Sequence, residues 1–321
     1  MSNVVEPSPA AIRDAADRLR RGGVVAIPTE TVYGLAADTF QPFALFAVYA
    51  MKGRPEGNPL IAHVLDVAAA RRVAAGWDER CDRLADRFWP GPLTLVLPRA
   101  DGVPDRATAG LPTIAVRSPR HDVARAVLEA FGGTLSAPSA NRSGHVSPTT
   151  AAHVAADFAD VADLLILDGG RCEVGLESTV LDLAGPVPAV LRPGSVTTPE
   201  LREILGDVET PAIETQAASP GTSPRHYAPR TRAVLVPPRE LLAHLVTIHA
   251  RAAVLAFETS VPAPHHAIEM PQGAGAYARR LYEALRAADD LGLDCIVIET
   301  PPDTNEMWKA VRDRLRRAVS P

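Results

Sequence analysis

The sequence Met51-Lys52-Gly53-Arg54-Pro55-Glu56-Gly57-Asn58-Pro59-Leu60-Ile61-Ala62-His63 joins an apolar, helix-like run to a short apolar strand. Lys52 and Arg54 flank a glycine, which adopts backbone angles that other residues avoid, so both cations can face one concavity. Two prolines restrict the backbone and hold the Asn58 amide at a fixed distance from the cations. Apart from Lys52, the chain has only one lysine, Lys309. The stretch therefore predicts an anion site, although a solvated surface loop with unrelated charges is an alternative.

The composition is that of a folded protein, and the length indicates roughly two domains. The chain has 321 residues, of which 46% are hydrophobic and 22% charged, and its formal net charge is -5. A negative net charge argues against a generally basic nucleic-acid-binding protein, so any contact with RNA would be local. The cysteines Cys81, Cys172 and Cys295 lie far apart and lack zinc-site spacing, which favours structural thiols. Because no signal peptide and no long apolar run is present, we expect a cytoplasmic enzyme or binding protein.

Polar residues follow several predicted strands. Residues 24–27 form a continuous apolar run, typical of a buried strand, and the run ends in Pro28-Thr29-Glu30-Thr31-Val32-Tyr33-Gly34-Leu35. Hydroxyls, a carboxylate and a phenol at a strand end are typical of a ligand-lining loop, with a helix-capping turn as the alternative. His63 and Arg117 end two further strands, and Arg117 is a second candidate anion clamp. A single histidine is more often structural than ligand-binding, so this pattern alone leaves the role of His63 open.

The last third of the chain differs in composition. Residues 210–230 are rich in Pro, Ser, Thr, Ala and Gly, which predicts a linker between domains. The linker carries His226 and Tyr227, so we expect it to fold back on the site as a lid, with a flexible spacer as the alternative. Predicted strands at 233–236, 253–257 and 295–299 then alternate with helices, which indicates a small three-layer α/β domain. This domain lacks the glycine-rich motifs of nucleotide-binding loops.

Several of these motifs together resemble the Sua5/YrdC family, the L-threonylcarbamoyladenylate synthases, in its long two-domain form. The matching stretches are PTETVYGL (28–35), KGRPEGNPLIAH (52–63), FWPGPLTLVL (88–97), SAPSAN (136–141), GLESTVLD (175–182), LRPG (191–194) and residues 219–229. The family's Lys-x-Arg and Ser-x-Asn tetrad is present as Lys52, Arg54, Ser139 and Asn141.

The resemblance implies a fold and a reaction. The expected fold is α/β: a twisted mixed-sheet domain with a concave cationic cleft at residues 8–205, a linker or lid at 206–230, and a smaller Rossmann-like three-layer domain at 231–321. The expected reaction joins L-threonine, bicarbonate or CO2, and ATP into threonylcarbamoyl-AMP and pyrophosphate. Its product serves N6-threonylcarbamoylation of the adenosine next to the anticodon of ANN-decoding tRNAs. The partners implied are these substrates and a downstream tRNA threonylcarbamoyl transferase, with at most a weak contact to tRNA and none to a membrane.

The resemblance also implies roles for individual residues. The catalytic cations are Lys52 and Arg54. The pocket for L-threonine and its carbamate contains Thr31, His63, Arg117 as carboxylate clamp, Ala137 and Ser178. The residues on the ATP side are Arg54, Asn58, Thr113, Ser139, Asn141, Ser147, Arg192, His226 and Tyr227. Mg²⁺ is expected on the ATP phosphates, held mainly by them and by water, because the chain shows no carboxylate cage.

Two other classes of protein remain as alternatives. A concave cationic surface also suits a non-catalytic RNA-binding module, whose affinity for RNA would fall steeply with salt. A carbamoyl-transfer enzyme of the hydrogenase-maturation type contains a similar domain, but the zinc-binding cysteine pairs of those enzymes are absent from this sequence.

Overall fold

The computed structural model describes residues 3–210 and 226–320 and contains two sheets. The strands of the first sheet are β1 (Asn3–Val5), β2 (Val25–Ile27), β3 (Gly34–Asp38), β4 (Ile61–His63), β5 (Leu93–Pro98), β6 (Thr113–Arg117), β7 (Leu135–Ser136), β8 (Leu165–Leu167), β9 (Thr179–Asp182) and β10 (Ala189–Arg192). The helices around it are α1 (Pro9–Arg20), α2 (Pro42–Lys52), α3 (Val67–Arg71), α4 (Glu79–Phe88), α5 (Asp105–Thr108), α6 (Asp122–Phe131), α7 (Ala151–Asp157) and α8 (Thr198–Leu205).

The first sheet has ten strands in the order β1-β8-β2-β3-β7-β4-β6-β5-β9-β10 and mixes parallel with antiparallel pairs. Strands β4 and β6 run parallel, and their register places His63 opposite Arg117. Strand β7 runs antiparallel to β4 on its other side. Apolar side chains of α2 and α4 pack against one set of strand residues, whereas those of α1 and α6 pack against another. Helices therefore cover the sheet and leave the ends of its strands available for a site.

Helix α2 delivers the cationic stretch to the sheet. Pro42 occupies its first turn, where a missing N–H costs nothing, and Gly53 ends it with a left-handed φ of 60°. As predicted, this glycine adopts an angle that other residues avoid, so Lys52 is the last helical residue and Arg54 enters the loop. Gly53 donates its N–H to the carbonyl of Ala50, which helps to close the helix end.

The second sheet is parallel throughout. Its strands are β11 (Ala233–Val236), β12 (Ala252–Ala256), β13 (His266–Glu269) and β14 (Cys295–Glu299), in the order β11-β14-β12-β13, and its helices are α9 (Pro238–Thr247), α10 (Ala274–Asp290) and α11 (Glu306–Val319). Helix α9 packs on one face, while α10 and α11 pack on the other. This arrangement confirms the predicted three-layer domain. The apolar cluster under α10 and α11 also includes Val32, Val146 and Leu176, so the two halves of the chain share a core.

The structure adds elements that the sequence did not reveal. Strand β13 was not predicted, because only Ile268 of its four residues is buried and the apolar signal is weak. Of the predicted linker at 206–230, residues 211–225 lie outside the described residues, so its role as a lid stays a prediction. None of the described helices combines the length and apolar character that a membrane-spanning segment needs.

Candidate functional site

A small cavity lies where strand ends and loops of the first sheet meet His226 and Tyr227, in the last part of the predicted linker. Its volume is about 50 Å³. It is lined by Thr29, Thr31, Val32, Tyr33, Gly34, Arg54, Pro59, Ile61, His63, Arg117, Ala137, Pro138, Ser139, Glu177, Ser178, Arg192, His226 and Tyr227. The lining combines three arginines with hydroxyls and a few apolar side chains, a composition that suits a small anionic ligand.

The structure brings together most of the residues selected from the sequence. Those in the cavity wall are Thr31, Arg54, His63, Arg117, Ala137, Ser139, Ser178, Arg192, His226 and Tyr227. Those outside the wall are Lys52, Asn58, Thr113, Asn141 and Ser147. Four of these five form hydrogen bonds with wall residues: Asn58 accepts one from Arg54, Ser147 donates one to Glu177, and Lys52 and the N–H of Asn141 both donate to the carbonyl of Ser139. Thr113 begins β6 at the strand end opposite Arg117.

Arg117 is held by neighbouring residues within the protein. Its Nη1 donates to Oγ1 of Thr31 at 2.8 Å, and its Nε donates to the carbonyl of Gly91 at 3.1 Å. Its Nη2 lies 2.7 Å from Oε1 of Glu30, without hydrogen-bond alignment, so charge attraction joins this pair. Burial alone would raise the pKa of Glu30, but the charge of Arg117 and the hydrogen bonds to the carboxylate, one of them from the N–H of Arg120, together outweigh burial and lower that pKa. The predicted clamp is thus already neutralised by a carboxylate that sequence analysis did not select.

Lys52 lies behind the wall rather than in it. Its Nζ donates to the backbone carbonyls of Ser139 and Asn141, both at 2.5 Å, and its side chain is buried. Burial, together with the charge of Arg54, lowers the pKa of Lys52 well below its usual value. Lys52 therefore fixes the loop that contains the Ser-x-Asn motif, and only Arg54 of the predicted cationic pair lines the cavity.

Arg54 is oriented by the loop that the prolines restrict. Its Nη2 donates to Oδ1 of Asn58 at 2.6 Å and to the carbonyl of Pro59 at 2.8 Å, and its Nε donates to the carbonyl of Asn58 at 3.0 Å. Burial lowers the pKa of Arg54 to about 10, which leaves it charged at neutral pH. The wall thus carries a fixed cation, as the spacing of the stretch predicts.

Ser178 and Arg192 occupy neighbouring positions in the wall. Arg192 donates from Nη2 to Oγ of Ser178 at 3.2 Å and from Nε to the carbonyl of the same residue at 3.1 Å. Oγ of Ser178 also lies 2.7 Å from Oγ1 of Thr94. Because β9 follows Ser178 and β10 ends at Arg192, the antiparallel pairing of these strands brings serine and arginine together.

The two histidines of the wall are neutral at physiological pH. Burial lowers the pKa of His63 to about 4 and that of His226 to about 3. Nδ1 of His63 lies 3.1 Å from the carbonyl of Ile61, which accepts hydrogen bonds only, so Nδ1 carries the proton and Nε2 is an acceptor. A neutral histidine here can accept a hydrogen bond from a ligand hydroxyl or amine.

Tyr227 is unusual in three respects. It has a left-handed φ of 60°, which is rare for a bulky residue, and it is buried. Its hydroxyl has no hydrogen-bond partner among the described residues, although it lies in the cavity wall. Buried hydroxyls without partners are uncommon and strained backbone angles concentrate at ligand sites, so Tyr227 is a strong candidate for a ligand contact.

Glu177 is a functional candidate that sequence analysis missed. It lines the cavity, and its Oε1 accepts a hydrogen bond from Ser147 at 2.6 Å. Its Oε2 accepts from Tyr282 at 2.8 Å and from Arg314 at 3.0 Å, both in the second half of the chain. Burial would raise its pKa, but the charges of Arg314 and Arg192, together with hydrogen bonds from Ser147 and Arg314, outweigh burial and lower the pKa to about 2. The motif GLESTVLD, in which a carboxylate precedes two hydroxyls, was visible in the sequence, but Tyr282 and Arg314 lie more than a hundred residues away from it.

The described residues offer no ready-made metal centre. Among them, no group of three or more His, Cys, Asp or Glu side chains is placed to hold a metal ion. The carboxylates at the cavity, Glu30 and Glu177, are each held by an arginine. A metal ion at this site would therefore need most of its ligands from the substrate and from water.

Two family profiles match consecutive parts of the chain. The Sua5/YciO/YrdC profile, described as telomere recombination, matches residues 17–194. A second profile, described as the C-terminal domain of threonylcarbamoyl-AMP synthase, matches residues 196–320. A threonylcarbamoyl-AMP synthase of Pyrococcus abyssi is 39% identical, and the alignment covers 96% of this chain and 93% of the relative. One of Bacillus subtilis is 38% identical, with 96% and 92% covered.

Solved structures give the same relationship. Pyrococcus abyssi Sua5 in complex with L-threonine superimposes with a TM-score of 0.91 at 37% identity, covering 99% of this chain and 97% of that one. A variant of the same protein with an adjacent histidine and tyrosine replaced by alanine gives a TM-score of 0.90 at 36% identity, covering 99% and 96%. The chain therefore belongs to the Sua5/YciO/YrdC family, in the form that carries the Sua5 C-terminal domain.

Proposed function

We propose that this protein is an L-threonylcarbamoyladenylate synthase, which joins L-threonine, bicarbonate or CO2, and ATP into threonylcarbamoyl-AMP and pyrophosphate. The observation that carries the proposal is the convergence of Arg54, Arg117 and Arg192 with the hydroxyls of Thr31 and Ser178 on one cavity. In this reaction a carbamate oxygen of N-carboxythreonine attacks the α-phosphorus of ATP, and the bond to the β-phosphate breaks. Such a step needs charge neutralisation and placement more than a protein nucleophile.

The threonine side is built on β4, β6 and the loop after β2. Arg117 binds the substrate carboxylate, and Glu30 fixes the orientation of the guanidinium when no substrate is bound. Neutral His63 accepts a hydrogen bond from the substrate, and Thr31 and Ser178 supply hydroxyls. Ala137 gives the threonine methyl group an apolar surface. These contacts hold the carbamate in one orientation.

The nucleotide side contains the remaining cations. Arg54 and Arg192 neutralise charge on the phosphates, and the free hydroxyl of Tyr227 donates a hydrogen bond to the nucleotide. Lys52 acts through the loop it holds, which carries Ser139 and Asn141. His226 packs edge-on against Tyr227, with ring centroids 4.1 Å apart. The cavity wall thus excludes water from one side of the activated carbamate.

Three further residues of the nucleotide side lie outside the cavity wall. Asn58 orients Arg54, Ser147 hydrogen-bonds Glu177, and Thr113 starts a neighbouring strand. Glu30 and Glu177 are paired with arginines, so a Mg²⁺ ion bound with ATP would take its ligands mainly from the phosphates and water and would supply charge neutralisation there.

The cavity also argues against a non-catalytic RNA-binding module. A volume of about 50 Å³ admits part of a small molecule and excludes a duplex.

The proposed cellular setting is the cytoplasm, where a separate transferase passes the threonylcarbamoyl group to tRNA. We propose a catalytic domain at residues 8–205, a linker at 206–230 and a C-terminal domain at 231–321.

The decisive experiment is mass-spectrometric detection of threonylcarbamoyl-AMP from the purified full chain with ATP, L-threonine and bicarbonate. Product and pyrophosphate are expected in equal amounts, and leaving out any one substrate should abolish both. Arg192→Met should lower the yield, whereas Arg239→Met, at an exposed surface pair, should not. Absence of product from a folded wild-type chain that binds ATP would overturn the proposal.

A further inference from the structure

Arg314 on α11 is fully buried at the contact between the two halves of the chain. Its Nε donates to Oε2 of Glu177 at 3.0 Å, and its Nη1 donates to Oδ2 of Asp313 at 2.8 Å. Its guanidinium carbon also lies 5.5 Å from the centroid of the Tyr227 ring, within the range of a cation–π contact. One side chain from the second half thus contacts two residues of the cavity wall, although Arg314 itself is not part of that wall.

The ring of Tyr227 packs against side chains of the second half of the chain. Tyr282 on α10 stacks on its ring with centroids 5.6 Å apart and an interplanar angle of 27°. The hydroxyl of Tyr282 donates to Oε2 of Glu177, the same oxygen that Arg314 binds. A left-handed backbone angle at tyrosine persists only when surrounding contacts enforce it. Arg314 and Tyr282 contact the ring and hold it in place, and the Tyr227 hydroxyl, which has no partner among the described residues, stays available for a ligand.

Glu177 presents an electrostatic problem that Arg314 solves. A buried carboxylate in the wall of a cavity would repel the phosphates of a nucleotide if its charge were not balanced. Arg192 also lies near Glu177, but this arginine lines the cavity and is needed there for the ligand. Arg314 lies behind Glu177 and supplies a positive charge that the ligand does not use.

We propose that Arg314 is a positioning residue of the nucleotide site: it neutralises Glu177 and fixes the ring of Tyr227, so that the C-terminal domain completes a site whose ligand it does not touch. The inference rests on the proposed function and assigns the C-terminal domain a part in ATP affinity. On the alternative view, this domain only docks on the first and stabilises it.

The chain contains a matched control for this distinction. Arg286 on α10 also crosses between the halves, where Nη1 and Nη2 contact both carboxylate oxygens of Asp157 at 2.9 and 2.7 Å. This pair is largely buried but does not contribute to the cavity wall. Arg286→Met removes a domain-bridging ion pair of similar kind, so its effect measures docking alone.

The main test compares Arg314→Met with Arg286→Met and the wild type, using the full chain. For Arg314→Met we expect the KM for ATP at pH 8 to rise at least about tenfold, with a smaller change in the KM for threonine. Arg286→Met should lower the melting temperature and leave both KM values near those of the wild type. Arg314→Lys should recover part of the ATP affinity, because lysine restores the charge but not the forked geometry.

A pH series gives a readout that a purely structural role would not change. The groups that face Glu177 are Arg192, Arg314, Tyr227, Tyr282 and His226. His226 stays neutral above about pH 4, and both tyrosines stay protonated below pH 9. Asp313, the other carboxylate that Arg314 contacts, keeps its ion pair with Arg317, so Glu177 is the carboxylate that we expect to gain a proton when Arg314 is removed. The ATP affinity of Arg314→Met relative to wild type should therefore recover as the pH falls from 8 to 6. Titration of ATP itself cancels in this ratio.

The double variant Arg314→Met/Glu177→Gln completes the test. Because it removes both charges, it should bind ATP better than Arg314→Met and should show no pH-dependent recovery. If Arg314→Met behaves like Arg286→Met, or if the double variant is no better than the single one, the inference is wrong. If Arg314→Met does not fold, the same comparison is made between Arg314→Lys and the double variant. A wild-type chain that forms no product would overturn the proposed function, whereas an active wild type insensitive to Arg314 overturns this inference alone.

Discussion

Nη2 of Arg117 lies 2.7 Å from Oε1 of Glu30, and both side chains are buried. The pair places a positive charge at the proposed threonine site without leaving it uncompensated when no substrate is bound. Glu30 therefore competes with the substrate carboxylate for the same guanidinium and also fixes its direction.

This relationship predicts an unusual response to Glu30→Gln. Removing one partner of a buried ion pair leaves the other charge unbalanced, so the free energy of unfolding should fall by about 3 kcal/mol. L-Threonine should then raise the melting temperature of the variant more than that of the wild type, because its carboxylate replaces the lost charge. Thermal unfolding with and without saturating threonine measures both effects.

The control is Glu56→Gln, which removes the partner of Arg106 from an exposed pair. Its effect on stability should be below about 1 kcal/mol, and its threonine response should match that of the wild type. If threonine stabilises Glu30→Gln no more than wild type, Arg117 is not the carboxylate clamp.

Lys52→Ala should reduce both activity and stability. The ammonium satisfies the backbone carbonyls of Ser139 and Asn141, and these would remain buried without a partner, at a cost of about 2 kcal/mol in unfolding free energy. The loop that lines the nucleotide side would then be loose. The other lysine, Lys309, is 56% exposed in its side chain, so Lys309→Ala is the control and should change neither quantity. Denaturant unfolding and product assays that show full activity for Lys52→Ala would contradict this assignment.

Stability should depend on pH through three histidines, of which His63 and His226 are buried and His153 is partly buried. His63, His153 and His226 have pKa values lowered by burial to about 4, 4 and 3. Between the unfolded value near 6.5 and these folded values, the unfolded chain binds protons that the folded chain does not, so the free energy of unfolding falls as the pH drops. Denaturant unfolding at pH 7.5 and 5.0 should show a loss of roughly 1 to 2 kcal/mol per histidine.

Carboxylates cannot explain a loss in that window. The lowered pKa values of Glu30 and Glu177 add stability above their unfolded values near 4.5, and this stability disappears only at lower pH. His153→Gln should therefore flatten the profile between pH 7.5 and 5.0, because it removes one of the groups concerned. A flat wild-type profile over that interval would show that these histidines are accessible to protons.

Local sequence patterns predicted most helices and strands. They also predicted which residues meet at the site, because the polar residues lie at the ends of strands. Thr31, His63, Arg117 and Arg192 all follow this rule and all line the cavity. Patterns did not distinguish Arg54 from Lys52, although only one of the two faces the cavity. That difference depends on which buried carbonyls lie within reach of each side chain, and those carbonyls come from a loop that lies more than eighty residues later.

Charge partners were the main feature that the sequence concealed. Glu30 and Glu177 both lie inside recognisable motifs, but their importance comes from Arg117 and Arg314, at sequence separations of 87 and 137 residues. Spacing arguments work within one element or between adjacent ones. The second sheet was predicted as an independent unit, and only tertiary packing shows that α10 and α11 support Glu177 and Tyr227.

The final prediction contrasts two glycines of the quoted motifs. A Cβ at Gly194 would lie 2.5 Å from the backbone nitrogen of Thr179 and 2.9 Å from the carbonyl carbon of Ser178. Gly194→Ala should therefore displace Ser178 and the start of β9. We expect it to lower the free energy of unfolding by about 1 to 3 kcal/mol and to raise the KM for threonine. At Gly57 an added Cβ would meet nothing within 4 Å, and the backbone angle suits alanine. Gly57→Ala should keep wild-type kinetics and gain up to about 1 kcal/mol by restricting the unfolded chain. Steady-state kinetics and denaturant unfolding of both variants measure these effects. If the two variants have the same KM for threonine and the same free energy of unfolding, the backbone of Gly194 does not hold Ser178 in place.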